Sequence, residues 1–210
     1  ILISNGFIIP NLIMKSLSEI DTTSKRASRA VGFSWGEAEE IGKSIRLLEL
    51  YGFAGIKTLC QYFKLKNNQK YENLDLISQN NMTEKYPYCP IRLGISFLDQ
   101  IKNLENFEKI TFGKISFPLL VLPFLSRSSE IIGKKINIKF DKNKFLLNLN
   151  VNITSNLFDY DCPDMANKVE INILQNEDNF SEQEWQSLYK LSEKTFVKET
   201  DSLKQGAAGA

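Results

Sequence analysis

The chain has 210 residues, 42% of them apolar and 24% charged, with a net charge of +1. That balance describes one soluble globular domain able to build a core without disulfide or metal, and the near-zero charge excludes a global field steering it to nucleic acid or a membrane. Histidine is absent, which excludes a Ser-His-Asp triad, a Cys-His pair and a His-based zinc site; carboxylates, Lys, Tyr, Ser or Cys would have to carry any chemistry.

The first thirteen residues, ILISNGFIIPNLI, are apolar but too short to span a membrane, and Pro10 interrupts them. They also lack the basic start and small-residue cleavage site of a signal peptide. Residues 1–13 are therefore expected to be a non-native or disordered extension upstream of a natural start at Met14, with a short interfacial anchor as the alternative. A first helix is expected over Leu17–Val31, opened by a Ser16/Glu19 capping box and closed by Gly32. Trp35 to about Tyr51 reads as a second helix with Ala38, Ile41, Ile45 and Leu48 inside. Gly42 lies on that stripe and would let another element approach closely. A third helix spans about Ala54 to Phe63.

Residues 64–88 are polar and read as mostly loop, with a weak element near Leu74–Ile77. IRLGISFLDQI, after Pro90, fits a strand and a helix equally. From residue 108 the pattern turns to strand, and the apolar run LLVL at 119–122 reads as buried strand. Pro123 then opens a helix ending at Gly133. INIKF and FLLNLNV, either side of DKNK, read as a hairpin, and VEINIL as a further strand. Ser181 and Glu184 cap a last helix with Trp185, Leu188 and Leu191 facing inward. Residues 201–210 form a flexible Gly/Ala-rich tail with no core side chains, a frayed terminus or a segment that inserts into a partner. The whole is one α+β domain over 14–200: an N-terminal helical unit packed with a small, largely antiparallel sheet and a C-terminal helix.

Three carboxylates crowd the stretch GFSWGEAEE. Ser34 and Glu37 fit a capping box, negative charge in a first helical turn suits the helix dipole, and Glu39 pairs with Lys43 one turn on. Glu40 has no such assignment. If buried it needs a cation, which Arg26 or Arg29 could supply. Trp35 and Phe33 bracket the cap as a hydrophobic clasp or, alternatively, a ligand platform or partner anchor. Cys60, Cys89 and Cys162 are odd in number and widely spaced, which argues against a disulfide framework and a thiolate metal site and for a reducing cytoplasm. The lysines at 134, 135, 139, 142 and 144 read as a solvated edge that discourages strand pairing. No phosphate-binding glycine motif, and hence no cofactor, is indicated.

RAVGFSWGEAEEIGKSIRLLELYGF resembles the signature segment of an uncharacterised bacterial family, domain of unknown function 3726. The likeness falls on Phe33, Ser34, Trp35, Gly36, Ala38, Glu39, Glu40 and Gly42. FPLLVLPFLSR and the end ETDSLKQGAAGA are similar to further segments of that family, and the end departs from it by stopping short, which implies a truncated C-terminus. Arg29-Ala30-Val31-Gly32 departs from the Arg-Gly-Ala-Gly common in members. The resemblance implies relationship and not chemistry. Two functions are expected in parallel. One is a non-catalytic accessory or binding protein of bacterial metabolism that joins a protein partner or a homo-oligomer. The other is a small-molecule enzyme, or enzyme subunit, with Glu40 as acid/base and an arginine holding a small anionic ligand. The contact residues under both are Arg26, Arg29, Ser34, Trp35 and Glu40, with no metal, nucleic acid or membrane.

Overall fold

A computed structural model describes all residues except 1–2, 5–6, 9–13, 84, 148–152, 156–161, 176 and 196–210. Residues 1–175 and 176–210 form two compact units. Of the expected N-terminal extension, Ile3–Ser4 (β1) and Phe7–Ile8 (β2) are described, paired antiparallel. The Gly/Ala-rich end lies outside the described residues.

Helices α1 (Leu17–Ala30), α2 (Trp35–Leu50) and α3 (Gly55–Lys66) follow one another through turns of a few residues. Both expected capping boxes form, at Ser16/Glu19 and Ser34/Glu37. Gly32 and Gly52 take the left-handed conformation, at φ +93° and +75°, that lets each helix end and the chain reverse. Gly42 does sit at a close approach. A Cβ there would lie 2.6 Å from Asp21 Oδ1 and 2.9 Å from the Asp21 carbonyl oxygen, so α1 crosses α2 on a bare backbone.

The ambiguous stretch after Cys89 is a helix, α4 (Pro90–Leu104), with Pro90 in the first turn, where its missing N–H costs nothing. Before it, residues 67–88 are largely irregular and contribute one two-residue strand, β3 (Asn80–Asn81). Strands β4 (Lys109–Phe112) and β5 (Ile115–Ser116) come next. LLVL is not a strand, however. Phe117 adopts φ +45° and Pro118 follows, which turns the chain into a buried 3₁₀ turn, Pro118–Val121. α5 (Leu122–Ile132) then runs to Gly133 at φ +65°.

The main sheet has the order β3-β4-β10-β6-β7-β8, with β6 Ile136–Phe140, β7 Asn143–Leu147, β8 Ile153–Ser155 and β10 Val169–Ile173. Only β3–β4 is parallel. β9 (Met165–Ala166) pairs with β5 in a small second sheet. Register sets Ile110, Ile171, Ile138 and Phe145 in one row across four strands, all buried. The alternate positions Thr111, Glu170, Lys139 and Lys144 form a row on the other face. Lys139 and Lys144 thus stand on the face of two interior strands and not on a sheet edge as the sequence suggested. Glu170, between Lys109 at 3.0 Å and Lys168 at 2.8 Å, has its carboxyl drawn down to about 2 by Lys168 and then Lys109.

In the second unit, α6 (Glu182–Ser192) carries the expected Ser181/Glu184 box. Within that unit Trp185, Leu188 and Leu191, expected to face inward, are exposed. The indole of Trp185 stacks on Phe180, at 5.6 Å between ring centroids.

Candidate binding site at the corner between the first two helices

Gly32 frees the chain to turn sharply, and the two aromatic residues after it take opposite environments. Phe33 is buried at 3% exposure and lies 6.3 Å from the rings of both Tyr62 and Phe63. Trp35, two residues on, is 64% exposed. The hydrophobic clasp of this corner is therefore Phe33 alone, and the larger indole faces solvent.

Two cations grip the turn. The Arg29 guanidinium donates to the carbonyl of Phe33 and lies 4.6 Å from the centre of the Trp35 ring. Lys66 Nζ, from the last turn of α3, donates to the Val31 carbonyl at 2.9 Å and lies 4.6 Å from the Phe33 ring. Such cation–π contacts contribute about 0.5–1 kcal/mol each near a surface. They also fix the side chains before anything binds. Ser34 caps α2, accepting from the Glu37 amide at 3.2 Å, while the Glu37 carboxylate accepts from the Ser34 amide at 2.8 Å.

Glu37 has a second environment that its capping role hid. With Arg92 of α4, 3.9 Å away, it borders a cavity of about 280 Å³ that also reaches Asp75, Cys89 and Ser96. Beneath that cavity Tyr62 Oη and Cys89 Sγ are 3.1 Å apart in the core. Burial, then Cys89, pushes the Tyr62 phenol well above its usual range.

Glu39 pairs with Lys43 at 3.0 Å as expected, and with Lys25 of α1 at 3.9 Å. Glu40 does meet an arginine, but it is Arg127 of α5, 87 positions along the chain, rather than Arg26 or Arg29. Arg29 is turned to the Phe33–Trp35 corner and Arg26 is exposed on α1. Lys43 adds a second contact to Glu40 at 3.2 Å. Partial burial pushes the Glu40 carboxyl up, but the hydrogen bond and charge of Arg127, joined by Lys43, outweigh it and hold the group below the usual carboxylate range. Glu40 is thus a carboxylate at neutral pH, clamped at the α2–α5 contact.

Glu40→Gln is expected to destabilise the fold by about 1–2 kcal/mol, because Arg127 would remain half-buried with a weaker partner. A carboxylate whose folded pKa is depressed stabilises the fold above its unfolded value, near 4.3, and loses that contribution as pH falls through the folded value. Urea denaturation of wild type and variant should therefore differ at neutral pH and converge at acid pH, once the Glu40 carboxyl is protonated in the folded state as well.

Of the residues singled out from the sequence, the structure brings Ser34, Trp35 and Arg29 to one corner, although Arg29 was expected at Glu40; Lys66, Arg92 and Arg127 were not singled out. Lys66 carried a weak signal, as a cation in a last helical turn, although the carbonyl it reaches belongs to the end of α1. Among the described residues no three His, Cys, Asp or Glu side chains gather as metal ligands, and no helix is long and apolar enough to cross a membrane.

The sequence profile of a protein family of unknown function, DUF3726, matches residues 15–88, which cover α1, α2, α3 and the loop up to Tyr88. Searches of curated proteins and of solved structures find no match.

Proposed function

We propose that this chain, whose α1–α3 unit carries the DUF3726 match, is a non-catalytic binding protein that engages a protein partner through the Trp35 corner. The observation that carries the reading is a large indole at 64% exposure, held by a guanidinium that is itself tied to the backbone. A rigid aromatic with a stacked arginine is the side-chain pair that most often dominates binding energy at protein interfaces. Pre-organisation lowers the entropy lost on association. The alternative, an enzyme with Glu40 as acid/base, is weakened by where that side chain points. A general acid/base works best with a pKa near the operating pH and within reach of a substrate proton. Glu40 is instead kept ionised between two cations, and it is Glu37 that borders a cavity. The cytoplasm, as a reducing compartment, is the setting this reading assumes.

The test is affinity purification of the full chain from its native host, comparing wild type with Trp35→Ala. The variant is expected to stay folded, losing at most the cation–π contact with Arg29, about 0.5–1 kcal/mol, and to weaken the complex by about 2 kcal/mol or more. Recovery of a lone monomer that turns over a small molecule, with turnover lost in Glu40→Gln, would overturn the reading in favour of the enzyme.

A further inference from the structure

We infer that the segment received at this corner is acidic: a peptide stretch rich in Asp or Glu, with an apolar side chain for the face of Trp35. The inference rests on the binding reading above and names the chemistry of the partner. Gly32, Ser34, Trp35 and Gly36 are all exposed and form the tip of the turn. Arg29 and Lys66 close on that tip from α1 and α3, and both give hydrogen bonds to backbone carbonyls, which are neutral. Among the described residues neither meets a carboxylate, whereas Lys25, Lys43, Arg92 and Arg127 each do.

The carboxylates closest in sequence are already engaged. Glu37 folds back on Ser34 and faces Arg92, and Glu39 faces Lys43 and Lys25. The corner therefore carries two positive charges that meet no carboxylate among the described residues, Arg29 against the exposed Trp35 ring and Lys66 on the Val31 carbonyl against the buried Phe33 ring. A guanidinium has five N–H donors and an ammonium three, so each retains donors for a carboxylate after its contact with the backbone. Charge-assisted bonds of that kind are stronger than neutral ones and set the register of the incoming chain. A nucleic acid fits less well, since it would call for a run of cations along a groove with successive rings for stacking, and the net charge of the chain is only +1.

The experiment places a photo-cross-linking side chain at Gly36, where an added Cβ meets nothing within 4 Å. The full chain carrying it is irradiated in native host cells, and the cross-linked partner peptide is sequenced. The expected result is an adduct on an Asp- or Glu-rich segment. Its yield should fall about tenfold in the Arg29→Gln, Lys66→Gln double variant and on raising the salt, and persist in Arg29→Lys, Lys66→Arg, which keeps both charges. Should the double variant melt early, the two Gln variants are read singly, and each is expected to lose about threefold. An adduct on a neutral or basic segment overturns the inference while leaving the binding reading intact. So does an adduct on nucleic acid, or a yield indifferent to these variants and to salt. No adduct from any variant overturns the binding reading and this inference with it.

Discussion

Gly94→Ala is expected to cost about 3 kcal/mol or more, although alanine is the better helix former by about 1 kcal/mol. α4 passes α5 so closely at this point that a Cβ would lie 2.3 Å from Phe124 Cδ2 and 2.5 Å from its Cγ. Phe124 is fully buried, and its ring has no open side to swing into. Relief would require the two helices to move apart, which would also disturb Phe97 and Ile101, core residues further along α4. Close-packed interiors resist that separation. Chemical denaturation should show the loss, accompanied by a fall in melting temperature of about 2–4 °C per kcal/mol for a chain of this size. Gly36→Ala, on the exposed start of α2, is the control and is expected to be neutral or stabilising by up to about 1 kcal/mol. A Gly94 variant as stable as the wild type would mean that α4 and α5 do not cross at this distance.

Tyr62→Ala is expected to cost about 3–5 kcal/mol. The ring is fully buried and lies within 6.3 Å of four others, Phe33, Phe63, Tyr71 and Phe117. It ties the inner end of the Trp35 corner to the strained turn at Phe117. Tyr62→Phe keeps the packing and removes only the hydroxyl that meets Cys89, so it should cost about 1 kcal/mol. The two variants together separate packing from hydrogen bonding at one position. If Tyr62→Phe cost as much as Tyr62→Ala, the phenol and thiol would be the main contribution and the cluster of rings a minor one.

Helix boundaries were legible in the sequence because their causes are local. Ser16 with Glu19, Ser34 with Glu37 and Ser181 with Glu184 lie three residues apart, and the glycines at 32, 52 and 133 stand where the chain must turn left-handed. Elements decided by distant packing were not legible. The periodicity after Pro90 suited strand and helix alike, and the helix is selected by burial of Leu93, Phe97 and Ile101 on one side. LLVL has the composition of a strand, but Pro118 has no N–H for a ladder, and the turn at Phe117 sends the chain into a 3₁₀ turn instead. Of the candidate site, the cap came from nearby residues and could be anticipated, whereas Arg29, expected at Glu40, meets Trp35 instead. Glu40 and Arg127 come from helices far apart in the chain, α2 and α5, and nothing in SFPLLVLPFLSRSS marks its arginine as the partner. Phe33 and Trp35 were indistinguishable in kind. Phe33 goes inside against Tyr62 and Phe63 of α3, which lie about thirty residues further along the chain.

The position of β10 in the main sheet bears on the order in which the chain can fold. β10 lies between β4 and β6, yet it is the last of the described sheet strands to leave the ribosome. The α1–α2–α3 unit needs only neighbours close in sequence and can form during synthesis. The sheet cannot close until Val169–Ile173 arrives. Before then, β4 and β6 each present an unpaired inner edge lined with Ile110, Phe112, Ile136 and Ile138, and such edges pair readily with other chains. A chain that stalls or is cut ahead of Val169 is thus the aggregation-prone form of this protein. Its early helices would be intact and its sheet would be open along two edges.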